Sequence, residues 1–182
     1  MSRPVYLALH PGGPNSRTHF AVFIPHASLA DTDLSASSFK DAPCTGTIVQ
    51  VVGEPLMSGY ALEFKRNFDC STAHDLRKLV LLGTVDEKHI HDSGNVTGGV
   101  SVVDAVPRSR LETEASRVPP PPKGQDMRLP IDGVNTKRCQ EWTMEFIRRL
   151  VGQGLIQAEA VDIVQSHRDS PTRGIIGMKR NH

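Results

Sequence analysis

The chain has 182 residues, of which 38 % are apolar and 23 % charged, a balance that suits one folded domain over 1–182 and is too apolar for a disordered chain. Lysine and arginine number 21 against 20 acidic residues, for a formal charge of +1, so no large field draws in nucleic acid or an anionic membrane surface. No window approaches the roughly 20 consecutive apolar residues that span a bilayer. His10, Pro11 and two glycines break the first apolar run too early for a signal peptide, which makes the cytoplasm the expected address.

Val5–Leu9 and Thr18–Pro25 are short β-branched and aromatic runs separated by PGGPNSR, and predict two strands joined by a loop. Thr45–Gly53 and Gly59–Arg66 repeat that pattern around Glu54–Ser58, and Arg77–Val85 adds a fifth strand. Val100–Val106 is a candidate sixth. Arg108–Arg117 predicts a helix that ends before Val118, because Pro119–Pro122 cannot continue it. The proline-rich segment 118–134 then reads as an extended surface crossing, with a docking site for a proline-reading module as the alternative.

Arg138–Val151 predicts the clearest helix. Cys139, Trp142, Thr143, Phe146, Ile147 and Leu150 share one face, and Glu141, Glu145, Arg148 and Arg149 the other. Asn135 or Thr136 is the expected cap, and Gly152 and Gly154 the expected end. Gln157–His167 predicts a second helix, and residues 170–182 read as a flexible tail. The class that results is α+β: an antiparallel sheet of about five or six strands packed against C-terminal helices.

Cys44, Cys70 and Cys139 are an odd, sparse set and predict free thiols rather than a disulfide framework. A helix N-terminus stabilises a thiolate through its unpaired N–H groups and the positive end of its dipole. Cys139 falls in such a first turn and on the inward face. His19 opens an early strand, where alternation puts it with Ala21 and Phe23, and an imidazole there can take the thiol proton and return it to a leaving group. Gln50, central in an apolar strand, can orient the imidazole or can simply face outward. Gln140 can donate to an oxyanion, as can the N–H groups of the helix start, and Tyr6 and Trp142 complete the residues expected to touch substrate. The competing reading of Cys139 is a small residue packed in the core.

His89-Ile90-His91-Asp92 offers two imidazoles and a carboxylate but lacks a partner from elsewhere, so no metal is expected. His10 and His26 read as strand ends, with either able to enter a pocket mouth beside His19. Without a glycine-rich phosphate loop, no nucleotide or other cofactor is expected.

The histidine strand T-H-F-A-V-F, the polar residue in G-T-I-V-Q-V-V-G and the late R-C-Q-E-W helix together resemble the circularly permuted branch of the NlpC/P60 and papain-like superfamily. That branch includes the lecithin:retinol acyltransferase-like proteins and the PPPDE peptidases. The pattern is closer still to uncharacterised fungal proteins with a strand histidine, a G-x-P-x-x-G-type loop and a C-Q-x-W helix, here His19, Gly53–Gly59 and Cys139–Trp142. The resemblance covers about Tyr6 to Asp169. It implies a permuted papain-like fold, a thiol nucleophile at Cys139 and a base at His19. The acyltransferase-like members carry a second histidine on the next strand and N-C-E-H at the helix, where this chain has Gln50 and R-C-Q-E-W, so lipid acyl transfer is not implied.

The expected activity is a cysteine-dependent acyl hydrolase or acyltransferase acting on an amide, thioester or ester of a small-molecule or peptide-like substrate. A fungal setting associates it with secondary metabolism. The alternative is a catalytically inactive binding or scaffold module of the same fold.

Overall fold

The computed structural model describes residues 1–35, 37–92 and 99–177. It is an α+β fold with one antiparallel sheet of six strands: β1 (Ser2–His10), β2 (His19–Pro25), β3 (Thr45–Glu54), β4 (Gly59–Asp69), β5 (Lys78–Asp86) and β6 (Val102–Asp104). They lie in the order β5-β1-β2-β3-β4-β6. Three helices follow, α1 (Arg110–Ser116), α2 (Cys139–Gly152) and α3 (Glu159–His167). The five strands expected in the first half are all present. The sixth is three residues long, because only Val102–Asp104 find partners, on Arg66, Lys65 and Phe64 of β4.

Alternation along the strands separates two cores. Val22 and Val49 on one face pack with Trp142, Phe146 and Ile147 of α2. Tyr6, Phe23 and Ile48 on the other face pack with Phe39, Cys44 and Cys70 from the connecting segments. All three cysteines are free and buried.

The β3–β4 hairpin turns on Glu54, whose carboxylate accepts the N–H groups of Leu56 at 2.8 Å and Met57 at 2.7 Å and that of Ser58. Those bonds hold the carboxyl down to about 2. The turn closes on Gly59 at φ +72°, where a side chain would be strained. This is the Gly53–Gly59 segment, in which three residues separate Pro55 from Gly59.

Neither Asn135 nor Thr136 caps α2. Asp132 collects the N–H groups of Val134, Asn135 and Thr136 instead, and Arg138 occupies the cap position without a side-chain bond to the helix. Its guanidinium has donors only. Glu141 reaches back to the Arg138 N–H at 2.9 Å, while the first-turn N–H groups receive no acceptor from the cap.

Glu141 is not on a solvated face. It is 3 % exposed, gripped by both Nη atoms of Arg17 at 2.9 Å and by Arg168 Nη2 at 2.7 Å. Two arginines distant in sequence cover a position that helical periodicity assigns to solvent.

The proline-rich crossing is tied down by Val118, whose carbonyl accepts Trp142 Nε1–H at 3.1 Å, and by Gln125, which donates to Lys137 O at 3.0 Å and accepts from its N–H at 2.8 Å. The expected loose tail is bonded as far as Ile176, through Ile131 N–H to Pro171 O and Ile176 N–H to Met127 O. Positions 178–182 of that tail lie outside the described residues. Among the described residues no helix is long and apolar enough to cross a membrane.

Candidate functional site

Backbone register assembles a polar row on one face of the sheet. In the β1–β2 ladder His10 lies opposite His19, and in the β3–β4 ladder Gln50 lies opposite Glu63. The two pairs meet across β2 and β3, where His19 Nε2 is 2.7 Å from Gln50 Oε1. Gln50 Nε2 donates to Glu63 Oε1 at 2.6 Å. At the other end His10 Nδ1 is 3.2 Å from Asp75 Oδ2, and the two imidazole rings are 5.7 Å apart between centroids.

The ladder between β2 and β3 runs only from Val22↔Val49 to Pro25↔Gly46. Towards His19 the two strands are no longer paired, and the start of α2 comes to this opening. A cleft of about 360 Å³ lies there, with His10, His19, Gln50, Tyr60, Lys65 and Cys139 among its walls. The Cys139 sulfur is 4.0 Å from the carbonyl oxygen of Thr18, the residue next to His19, and Cys139 and His19 line the same cleft, where the thiol raises the His19 pKa. At 8 % exposure Cys139 is shielded but still borders the cleft.

The arrangement depends on a clamp at Gln140, which is fully buried. Its Nε2 donates to Thr18 O and to Asp169 Oδ2, both at 2.8 Å. Its Oε1 accepts from Arg17 Nη2 at 2.8 Å and from Asp169 N–H at 2.9 Å. Asp169 also accepts the Thr18 N–H at 2.7 Å. The backbone just before His19 is thereby fixed to the first turn of α2.

This corrects the sequence expectation for Gln140. Both amide hydrogens are committed to protein oxygens, so it fixes the histidine strand and is not a free donor to an oxyanion. The expectation for Tyr6 is also corrected: it lies in the core on the sheet face away from α2, 2 % exposed, with its hydroxyl accepting Leu34 N–H. Trp142 is 1 % exposed against Phe146 and belongs to the α2 core, not to a substrate surface. Cys139, His19 and Gln50 are the expected residues that the structure brings together.

Sequence reasoning missed two neighbours: Glu63 ends the hydrogen-bonded row, and Tyr60 faces the cleft from β4, whereas His10, expected as able to enter a pocket mouth beside His19, is a cleft wall. Tyr60 is pushed up to about 12 by burial and by the charge of Cys139, so it stays a phenol and can donate a hydrogen bond. Lys65 also adjoins the cleft and stacks over Phe68 at 5.1 Å. Among the described residues no three His, Cys, Asp or Glu side chains gather as metal ligands. Asp92, from the His-x-His-Asp run, instead pairs with Arg3 at 2.9 Å.

A family of unknown function, DUF6540, matches residues 5–157. The chain belongs to DUF6540. No curated protein and no solved structure matches it. The matched DUF6540 span contains the whole polar row and Cys139, and ends before Arg168 and Asp169.

The two cleft histidines are driven apart electrostatically. Burial disfavours a charged His19, but the bonds to Cys139 and Gln50 and the charges of Cys139 and Asp75 outweigh it, and its pKa is raised. Burial and the adjacent His19 charge lower that of His10, against the pull of Asp75. With an ordinary imidazole near about 6.5, the signs follow from linkage. Stability from His19 is complete below that value and is lost as pH rises through its higher folded value. His10 instead costs stability as pH falls below that value towards its lower folded one. In a proton NMR titration of the ring hydrogens, His19 is expected to titrate above the ordinary value and His10 below it; the reverse order contradicts the assignment.

Proposed function

We propose that this DUF6540 protein is a cysteine-dependent acyl hydrolase or acyltransferase. The observation that carries the reading is that Cys139 and His19 line one cleft, the sulfur 4.0 Å from the Thr18 carbonyl beside His19, with Gln50 Oε1 2.7 Å from His19 Nε2. A nucleophile, a base and a residue that orients the base form the arrangement that activates cysteine on several unrelated folds. The resemblance of the His19 and Cys139 segments to permuted NlpC/P60 and papain-like proteins supports the same reading.

The His19 nitrogen not bonded to Gln50 takes the Cys139 proton, and the sulfur attacks the carbonyl carbon of an amide, thioester or ester. The tetrahedral oxyanion meets the uncapped N–H groups at the start of α2, where the helix dipole also favours negative charge. Imidazolium returns the proton to the leaving group as the carbonyl re-forms. Water or an amine then releases the acyl group from sulfur. Gln140 keeps the His19 strand and the thiol together and takes no part in bond making.

The test is to trap the acyl intermediate. The protein incubated with short-chain thioesters and activated esters is expected to gain the mass of one acyl group, mapped to Cys139 by peptide mass spectrometry and absent in Cys139→Ala. A chain that takes up no acyl group from thioesters, esters or peptide-like amides favours the non-catalytic binding module instead.

A further inference from the structure

Glu63 ends the polar row on the Gln50 side and has a single chemical option. A carboxylate has acceptors only, whereas the Gln50 amide has a donor end and an acceptor end that can be exchanged by a half-turn. The 2.6 Å contact to Glu63 Oε1 therefore has to come from Gln50 Nε2. The reversed amide would set two oxygens against each other at that distance.

With its nitrogen turned to Glu63, Gln50 presents Oε1 to His19, and at 2.7 Å that oxygen needs a hydrogen on His19 Nε2. A neutral imidazole with Nε2–H has its lone pair on Nδ1. Nδ1 is then the one ring nitrogen with a lone pair to offer a thiol in the shared cleft. We infer that Glu63 is a positioning residue, which acts through Gln50 to hold His19 in the Nε2–H tautomer, so that Nδ1 is free to accept the thiol proton.

The step involved is proton transfer alone: the S–H bond of Cys139 breaks, an Nδ1–H bond forms, and no electrons leave the pair. After transfer the imidazolium donates from Nε2 to Gln50, and Gln50 donates to a carboxylate. The row thus ends in a group able to support the new positive charge. The register places Glu63 at this point, since Gln50 and Glu63 are partners in the β3–β4 ladder. Gln50 is 9 % exposed, so water competes weakly for its amide.

Glu63→Gln is the informative change, because it alters no bond length and only removes the acceptor-only character. The new amide can donate to Gln50 Oε1, which lets the Gln50 amide reverse and offer Nε2–H to His19. The histidine then answers with a lone pair on Nε2 and a hydrogen on Nδ1, leaving Nδ1 without a lone pair to offer the thiol. Glu63→Asp keeps the acceptor-only end and is the conservative control.

The tautomer is read directly by long-range proton–nitrogen NMR on protein with nitrogen-15 histidine, with His19 assigned by its loss in His19→Ala. The measurement is made in the Cys139→Ala background above the ordinary imidazole pKa, so that the ring is neutral. The expected result is Nε2–H with Glu63 or Asp present, and a majority of Nδ1–H with Gln. An unchanged tautomer in Glu63→Gln overturns the inference.

The consequence for reactivity rests on the Cys139–His19 reading. With Cys139 intact, Glu63→Gln is expected to slow its alkylation by about tenfold or more and flatten the pH profile, and Glu63→Asp to restore most of the rate. A tautomer that switches while alkylation is unaffected leaves the assignment of Glu63 standing and removes the thiol–imidazole pair. No switch with fast alkylation does the opposite.

Discussion

Replacing Glu141 by alanine is expected to cost about 3–5 kcal/mol of stability, because it strands two largely buried arginines. Arg17 is 8 % exposed and Arg168 21 % exposed at the side chain, and both contact a carboxylate that is itself 2 % exposed. Burial opposes ionisation of Glu141, yet Arg17, Arg168 and the Arg138 N–H outweigh it and hold the carboxyl below its usual range. A carboxyl depressed in the folded state contributes its stability above the ordinary glutamate value and loses it as pH falls through the lower folded one. Urea unfolding at neutral pH and again in mild acid checks both statements. A loss under about 0.5 kcal/mol at neutral pH would place Glu141 with ordinary surface glutamates. Removing Arg149, one-third exposed, gives the smaller-effect comparison, because the buried Glu114 carboxylate keeps Arg117 as a partner.

Trp142→Ala is expected to cost a similar amount, about 3–5 kcal/mol, through the cavity left in the α2 core. The indole is 1 % exposed, lies 5.3 Å from Phe146 between ring centroids, and donates to Val118 O at 3.1 Å. Trp142→Phe keeps most of the packing but leaves that carbonyl unpaired, for a loss of about 1–3 kcal/mol. It is the only tryptophan in the chain, so the parent's unfolding can be followed by its fluorescence and the variants' by circular dichroism. A Trp142→Ala protein as stable as the parent but altered in substrate uptake would return the residue to the cleft, where the sequence placed it.

The sheet and α2 were legible because each obeys one dominant period. Strands β1 to β5 alternate apolar residues around turn-forming clusters, and α2 repeats its apolar residues at helical spacing over four turns. Cys139 and His19 could be paired from the position of one at a helix start and the other at a strand start, together with the resemblance those segments carry. Gln50 stood out as an amide among apolar neighbours.

What stayed hidden depends on register and on distant partners. Glu63 and Lys65 alternate with Leu62 and Phe64, which reads as an ordinary solvated strand face. The Gln50↔Glu63 pairing shows that this face is the one turned towards the site, where Lys65 also borders the cleft. For His10 the sequence offered a strand end able to reach a pocket mouth, and the register opposite His19 decides for the pocket. Glu141 is polar by every local rule and is buried only because Arg17 and Arg168 close over it from far along the chain. Gln140 illustrates the limit from the other side. Its place beside the thiol suggests chemistry, whereas four hydrogen bonds to Thr18, Asp169 and Arg17 leave it none to offer.

The alkylation rate of Cys139 near neutral pH, compared between the parent protein and His19→Ala, tests the central claim most directly. Cys44 and Cys70 are at most 1 % exposed and should stay unmodified in both proteins, which certifies that each is folded. If thiol and imidazole share a proton, iodoacetamide should modify Cys139 at least about tenfold faster in the parent, and the gap should close at high pH, where any thiol ionises. Equal rates in the two proteins across that range would contradict the account.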